Sequence, residues 1–265
     1  MTFKDMNIEF SEIKNKPIIL NFGILEYHDL KTWITSGGFR ITRILFGRSN
    51  VFLLSNGTSQ LLIDTGSKWD GKRLLRNLTH AGSPDAVIMT HTHFDHTGNA
   101  GMLKEKFSPK FIVQEREKEF FESGDSPIPK GTRPWTRLIY RLGAERKQHW
   151  FHVQGVKADI IFREKYDLSA FGFNAYILHT PGHSPGASSI IVDNEFALVG
   201  DTLIGVIPGS AFPPWGDDTP EIIRSWKKLL GTGCHTFLPA HGFLITSGAL
   251  KKEYQKRCGK SARIL

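Results

Sequence analysis

Apolar and polar positions along the chain alternate in blocks that predict strands and helices in turn. Residues 1–16 are polar and mixed, and residues 17–23 form a short apolar run that reads as a strand. Residues 39–45 alternate apolar and polar, as a half-buried strand does, and residues 50–55 and 60–64 follow as two more. Asn56-Gly57 lies between the last two and is a strong hairpin signal, so the opening reads as an antiparallel meander. Leu74, Leu75 and Leu78 have helical spacing that stops near Gly82. The apolar, β-branched residues 85–90 then complete a strand–helix–strand unit. A helix over 99–107, a strand over 110–113 and a helix over 115–122 come next.

Regularity breaks at residue 123. Gly124, Pro127, Pro129, Gly131 and Pro134 precede Trp135, Tyr140, Trp150 and Phe151, with Arg133, Arg137, Arg141, Arg146 and Lys147 among them. The stretch from about 123 to 154 therefore reads as an insertion with one helix, about 135–142. It is either a lid that meets an apolar or anionic substrate or a small satellite core. Strands return at 158–162, 175–179, 188–192 and 196–199, with a tight turn at Asp193-Asn194. A helix over 219–230 starts at Pro220 and stops at Gly231. A short strand over 235–238 and a helix over 247–255 close the pattern. There are no repeats, and the whole is expected to be one domain over residues 1–265.

Composition adds little beyond an ordinary folded protein: 40% hydrophobic and 23% charged residues in a chain of 265. No apolar run reaches membrane-spanning length, so no membrane partner is expected. The N-terminus lacks the basic-then-apolar pattern of a signal peptide, and two cysteines, Cys234 and Cys258, make no disulfide framework. A cytoplasmic location is the expectation. The net charge of +8 raises a nucleic-acid surface. The basic residues are spread along the chain, however, which favours an anionic small molecule instead. The oligomeric state stays open, a homodimer included.

The chemistry concentrates in Thr90-His91-Thr92-His93-Phe94-Asp95-His96, where three imidazoles and a carboxylate follow a predicted strand. Strand ends are where α/β folds bind ligands, and imidazole with carboxylate is a metal-binding set. Three later stretches repeat the arrangement of an apolar strand with a ligand at its end: Leu178-His179-Thr180-Pro181-Gly182-His183, Leu198-Val199-Gly200-Asp201 and Leu238-Pro239-Ala240-His241-Gly242. Gly182-His183-Ser184-Pro185-Gly186 also fits the serine-hydrolase elbow. That elbow needs a backbone N–H after the serine, and Pro185 has none, so the match is a coincidence.

With Asp64-Thr65-Gly66, the histidine cluster, Gly182-His183, Gly200-Asp201 and Ala240-His241-Gly242 in this order, the chain from about 50 to 242 resembles the metallo-β-lactamase fold superfamily. The resemblance implies an α/β fold, an αββα four-layer sandwich of two mixed sheets flanked by helices, with the site at one edge between them. It implies that His91, His93 and His183 hold one metal, that Asp95, His96 and His241 hold a second, and that Asp201 bridges both. It also implies that Asp64 supports the cluster loop from behind. Two Zn²⁺ ions suit these ligands best, with Fe or Mn as alternatives. A hydroxide shared by the ions would attack the substrate, with Asp95 orienting it and carrying a proton.

Departures from the superfamily's branches narrow the substrate. A bridging carboxylate at Asp201 argues against a true β-lactamase. Ile204 stands where many of the lactonases carry a tyrosine. Gly200-Asp201-Thr202-Leu203 is similar to the glyoxalase II stretch, although too little chain follows His241 for that branch's helical C-terminal domain. The expectation is a hydrolase of a small-molecule ester, thioester or lactone. The alternatives are a phosphodiesterase or nuclease and, further off, a mononuclear iron dioxygenase or a non-catalytic metal-binding protein. Trp135, Trp150, Phe212 and Trp215 are the candidates for contact with substrate.

Overall fold

The computed structural model describes residues 31–144, 151–207 and 209–261; the strand expected over 17–23 lies outside them. Among the described residues, one sheet has seven strands in sequence order: β1 (Lys31–Ile34), β2 (Arg40–Leu45), β3 (Val51–Ser55), β4 (Gln60–Ile63), β5 (Ala86–Ile88), β6 (Lys110–Gln114) and β7 (Ile160–Phe162). The second has six: β8 (Lys165–Asp167), β9 (Ala175–His179), β10 (Ser188–Val192), β11 (Phe196–Gly200), β12 (Thr236–Pro239) and β13 (Ile245–Thr246), ordered 13-12-11-10-9-8. The first four strands form the antiparallel meander, and β4 to β7 pair in parallel. The second sheet is antiparallel except for the β11–β12 pair.

Side-chain alternation explains the layering. Phe52 and Leu54, Leu61 and Ile63, Ala86 and Ile88, and Ile112 share one core with Ala175, Ile177, Ile190, Val192, Phe196, Leu198 and Leu238 of the other sheet. Their neighbours one position away, Leu53, Leu62, Val87, Phe111 and Val113, face outward with Leu74, Leu78 and Leu103 of the helices α1 (Gly71–Ala81) and α3 (Ala100–Phe107). On the far side Ile191, Ala197, Val199 and Phe237 pack under Ile222, Trp226, Leu229 and Leu250 of α6 (Thr219–Leu230) and α7 (Ser247–Ser261). A period of two with both faces buried gives sheet on sheet, with helices outside each. This is the four-layer α/β sandwich, and each buried Leu, Ile or Phe adds on the order of 2 kcal/mol.

Local departures have local causes. The loop between β3 and β4 runs over four residues rather than two. Asn56 Oδ1 accepts from Thr58 and Ser59 N–H, and Gly57 takes φ +93°. Asp193 and Asn194 both adopt positive φ, as the tight turn predicts. The cluster is not all loop, because Phe94–Thr97 forms one helical turn, α2. The helix expected over 115–122 starts as a 3-10 turn, Glu115–Glu117, and continues as α4 (Lys118–Ser123). In the insertion, α5 (Pro134–Ile139) passes into a π-helical turn, Tyr140–Ala144.

Candidate metal centre

The site lies where the C-terminal ends of β4, β5, β9, β11 and β12 converge. Ser188 N–H donates to the Thr90 carbonyl, tying the start of β10 to the cluster. Asn50 N–H donates to the Ala240 carbonyl, and Asn50 Nδ2 to those of Pro239 and Gly242, which fixes the His241 loop. Gly200 takes φ +50°, and a Cβ there would stand 2.6 Å from Thr90 Oγ1. Only glycine lets the end of β11 come this close to the residue before His91.

Seven predicted ligands meet here. His91, His93 and His183 form one group whose ligand atoms lie within 4.8 Å of one another, and Asp95, His96 and His241 form another. His183 Nε2 is 3.0 Å from His93 Nδ1. Asp201 lies between the groups. Its Oδ2 is 3.4 Å from His183 Nε2, and its Oδ1 is 3.5 Å from His96 Nε2 and 3.4 Å from His241 Nε2. Asp95 Oδ2 is 3.3 Å from His241 Nε2. The side chains of Asp95 and His241 are 20% exposed while His91 and His96 are buried, so the centre opens on the Asp95–His241 side.

Hydrogen bonds from behind decide which nitrogens face inward. Asp64, at a positive φ that aspartate tolerates, accepts from Thr90 N–H at 2.8 Å and from Thr90 Oγ1 at 2.8 Å. Asp64 Oδ2 also lies 2.8 Å from His96 Nδ1. Thr90 spends its one hydroxyl proton on Asp64, so its oxygen accepts from His91 Nδ1–H at 3.1 Å. His183 Nδ1–H donates to the Trp215 carbonyl at 3.1 Å. His91 Nε2, His96 Nε2 and Asp201 Oδ1 are left buried with no hydrogen bond. Three orphaned polar atoms aimed at one another fit a cation and are costly without one.

The electrostatics divide the centre in two. Burial, with the rings of His96, His93 and His183, holds His91 well below the ordinary histidine value. Burial and His183 bring His93 down to about 3. Burial also opposes charge on His96, but Asp64, Asp201 and Asp95 outweigh it and raise that ring to about 9. His241 is raised well above its usual value against burial by Asp201 and Asp95. Burial likewise works against the charge on Asp201, yet His241, His96 and His183 hold it well below the carboxylate range. Against its own burial, Asp95 is brought to about 2 by His96 and His241.

Glu117 is absent from the residues the sequence singled out. It is buried and accepts from Thr92 N–H at 3.0 Å, from Thr92 Oγ1, from Ser184 Oγ at 2.6 Å and from Gly186 N–H at 2.9 Å. One carboxylate thus clamps the His91–His93 loop to the His183 loop. The bond also occupies Ser184, so the serine of the elbow-like motif is held by Glu117. A signal existed: Glu117 follows β6, the strand beside β5, where the strand-end rule looks for polar groups.

The aromatic candidates scatter. Trp215 touches the centre through its carbonyl, and Trp135 sits edge-on to its ring at 6.3 Å. Phe212 is a correction. It is 3% exposed, packed edge-on against Trp226 and covered by the Arg257 guanidinium, so it has no surface to offer a substrate. Trp150 lies outside the described residues. Phe94, between two ligands, stacks on Phe151 at 4.4 Å and meets Trp69 at 6.5 Å, which puts an aromatic wall beside Asp95. The insertion packs onto the loop after β11 rather than standing free. Thr132 N–H and Thr136 Oγ1 donate to the Pro214 carbonyl, and Gly216 N–H donates to that of Lys130.

The profile of the metallo-beta-lactamase superfamily matches residues 44–241. A hydroxyacylglutathione hydrolase GloC of Haemophilus influenzae is 30% identical, over 72% of this chain and 84% of its own. A probable metallo-hydrolase of Streptococcus pyogenes is 28% identical, over 73% of this chain and 78% of its own. Among solved structures, TTHA1623 in a di-iron-bound form superposes with a TM-score of 0.55 at 25% identity, covering 79% of this chain and 96% of its own.

Proposed function

The chain belongs to the metallo-beta-lactamase superfamily, and from that premise we propose that it is a two-metal hydrolase of a small-molecule ester, thioester or lactone. The observation that carries this reading is Asp201, whose two oxygens face the rings of both histidine groups. Two divalent ions held there, zinc by donor chemistry or iron as in the di-iron relative, would polarise a carbonyl and lower the pKa of water towards neutrality. The residues do the rest. His91, His93 and His183 bind on the closed side, and His96 and His241 on the open side. Asp95, ionised and partly exposed at the mouth, is placed to orient the attacking water and accept its proton. Asp64, Thr90 and Glu117 hold the ligands in position.

A thioester is favoured within the class by the likeness to the hydroxyacylglutathione hydrolase. The rival is a phosphodiester, favoured by the net charge of +8. The free thiols of Cys234 and Cys258 support a reducing, cytoplasmic setting. Metal analysis together with turnover of thioesters, lactones and bis(p-nitrophenyl) phosphate tests the proposal. Thioester or lactone turnover by a chain carrying two ions is expected. Turnover of the phosphodiester alone, or one iron per chain, would sink it.

The two sides of the centre should load differently. At neutral pH the metal-free chain carries protons on His96 and His241 and none on His91 or His93. An ion entering the Asp95–His96–His241 side must displace those protons. Affinity there is expected to climb with pH by up to about two decades per unit, with a shallower slope once His96 has lost its proton near pH 9. Titration calorimetry in buffers of different ionisation enthalpy reads the released protons directly. Loading of both sides with no proton release would contradict the ligand assignment.

A further inference from the structure

The helix of the insertion is inside out. Its polar Thr136 is buried against Pro214, whereas Trp135, Leu138, Ile139 and Leu142 are 55%, 57%, 47% and 78% exposed. Trp135, Leu138 and Ile139, spaced i, i+3 and i+4, share one face of α5, the stripe a helix normally buries, and Leu142 continues the exposed apolar run in the π-helical turn that follows. Four large apolar side chains in one exposed stripe mark an interaction surface rather than scattered surface residues. Exposure this high also argues against a small ligand, since pockets enclose most of what they bind. Charge says what covers the stripe. Residues 126–144 carry Lys130, Arg133, Arg137 and Arg141 and no acidic residue, and Arg137 and Arg141 are exposed beside the stripe. A twofold pairing with a second copy would bring these arginines together with no carboxylate on the helix to meet them. An anionic lipid surface complements both features, the apolar face entering the acyl boundary and the guanidinium groups meeting headgroups.

We propose that the exposed face of α5 and the π-helical turn after it docks the protein peripherally on an anionic lipid surface. Among the described residues no helix is long and apolar enough to cross a membrane, and none is needed, because an amphipathic helix lies in the interface plane. The surface extends beyond the helix. Arg133 donates to Ser210, at the end of a loop that exposes Val206 and Ile207, and Gly205 of that loop accepts from Phe243 N–H, whose ring is 66% exposed. Phe243 is two residues from His241, and Trp135 abuts the Trp215 whose carbonyl accepts from His183, so the docked face reaches the loops that carry these two residues. The association does not depend on which bond the centre hydrolyses.

Vesicle co-sedimentation of the metal-loaded full chain tests this, with phosphatidylcholine vesicles alone and doped with phosphatidylglycerol. Binding to the anionic vesicles that weakens with salt is expected, with little to the neutral ones. Leu138→Asp/Leu142→Asp should lower the partition coefficient by more than about tenfold, and Arg137→Gln/Arg141→Gln by about 30-fold. Leu138 and Leu142 are exposed, so that double variant should keep the parent melting temperature and its turnover of a water-soluble substrate; Arg137 Nε also donates to the Gly131 carbonyl, so the arginine variant is compared at temperatures below its own melt. Failure of the parent to bind anionic vesicles, or equal binding by parent and variants, overturns the proposal. So does a concentration-dependent dimer, without vesicle binding, that Leu138→Asp/Leu142→Asp converts to monomer, since the face would then belong to a second copy.

Discussion

Asp201→Asn is expected to lower turnover by about 10³-fold or more and to cut bound metal from about two ions per chain to about one. The substitution keeps the shape and removes the charge. It also replaces one carboxylate oxygen with an amide that donates, and every neighbour at that point is a histidine nitrogen: His183 on one side, His96 and His241 on the other. Asp201 Oδ1 is buried, and its neighbours there, His96 and His241 Nε2 at 3.5 and 3.4 Å, are rings that would share an ion with it once their protons leave. Asparagine cannot bind two ions at once as a charged ligand. The His91–His93–His183 group needs Asp201 least, because three imidazoles already converge there, and it should keep its ion. Elemental analysis gives the count, and turnover of the best substrate gives the rate. A melt of the metal-free variant checks that the fold survives. Full turnover with both ions retained would mean that Asp201 is not shared.

The ligands were legible because each sits just after an apolar strand, and strand patterns are short-range. The local rule that chemistry gathers at strand ends marked the stretches that carry His91, His93, His183, Asp201 and His241, and the resemblance to the superfamily picked the ligands within them. What holds them was not legible. Glu117 bonds to Thr92, 25 residues away, and to Ser184, 67 away, through hydroxyl and main-chain groups that no spacing encodes. Trp215 was singled out for its ring, but its carbonyl bonds His183, and main-chain groups have no sequence signature. Phe212 was a candidate for contact with substrate; α6 and α7 bury it, and their packing is set elsewhere in the chain. The unread strands β1, β8 and β13 are short sheet edges of mixed composition, made strands by their neighbours rather than by propensity. The inward polar face of α5 ran the other way. A helix was expected here, but which side faced the protein was not legible.

Glu117→Ala should cost about 3–5 kcal/mol and lower the melting temperature of the metal-free chain by roughly 10 °C. Alanine leaves two N–H groups and two hydroxyls without the acceptor they share, in a place where Glu117 and Ser184 are both buried. Each orphaned donor is worth about 1–3 kcal/mol, less whatever an entering water or a turned hydroxyl recovers. Glu117→Gln keeps one acceptor oxygen and turns the other into a donor facing donors, so it should lose about half as much. Melting curves of the three metal-free chains measure this series. A second reading separates packing from positioning. Glu117 contacts none of the inward-facing ligand atoms, yet its partners lie between His91 and His93 and just after His183. If it aligns those three rings, the first ion should bind about 10–100-fold more weakly in both variants, even at temperatures where they stay folded. Reduced melting with unchanged metal affinity would leave Glu117 only the task of joining two loops. An unchanged melting temperature would show that its four contacts contribute nothing.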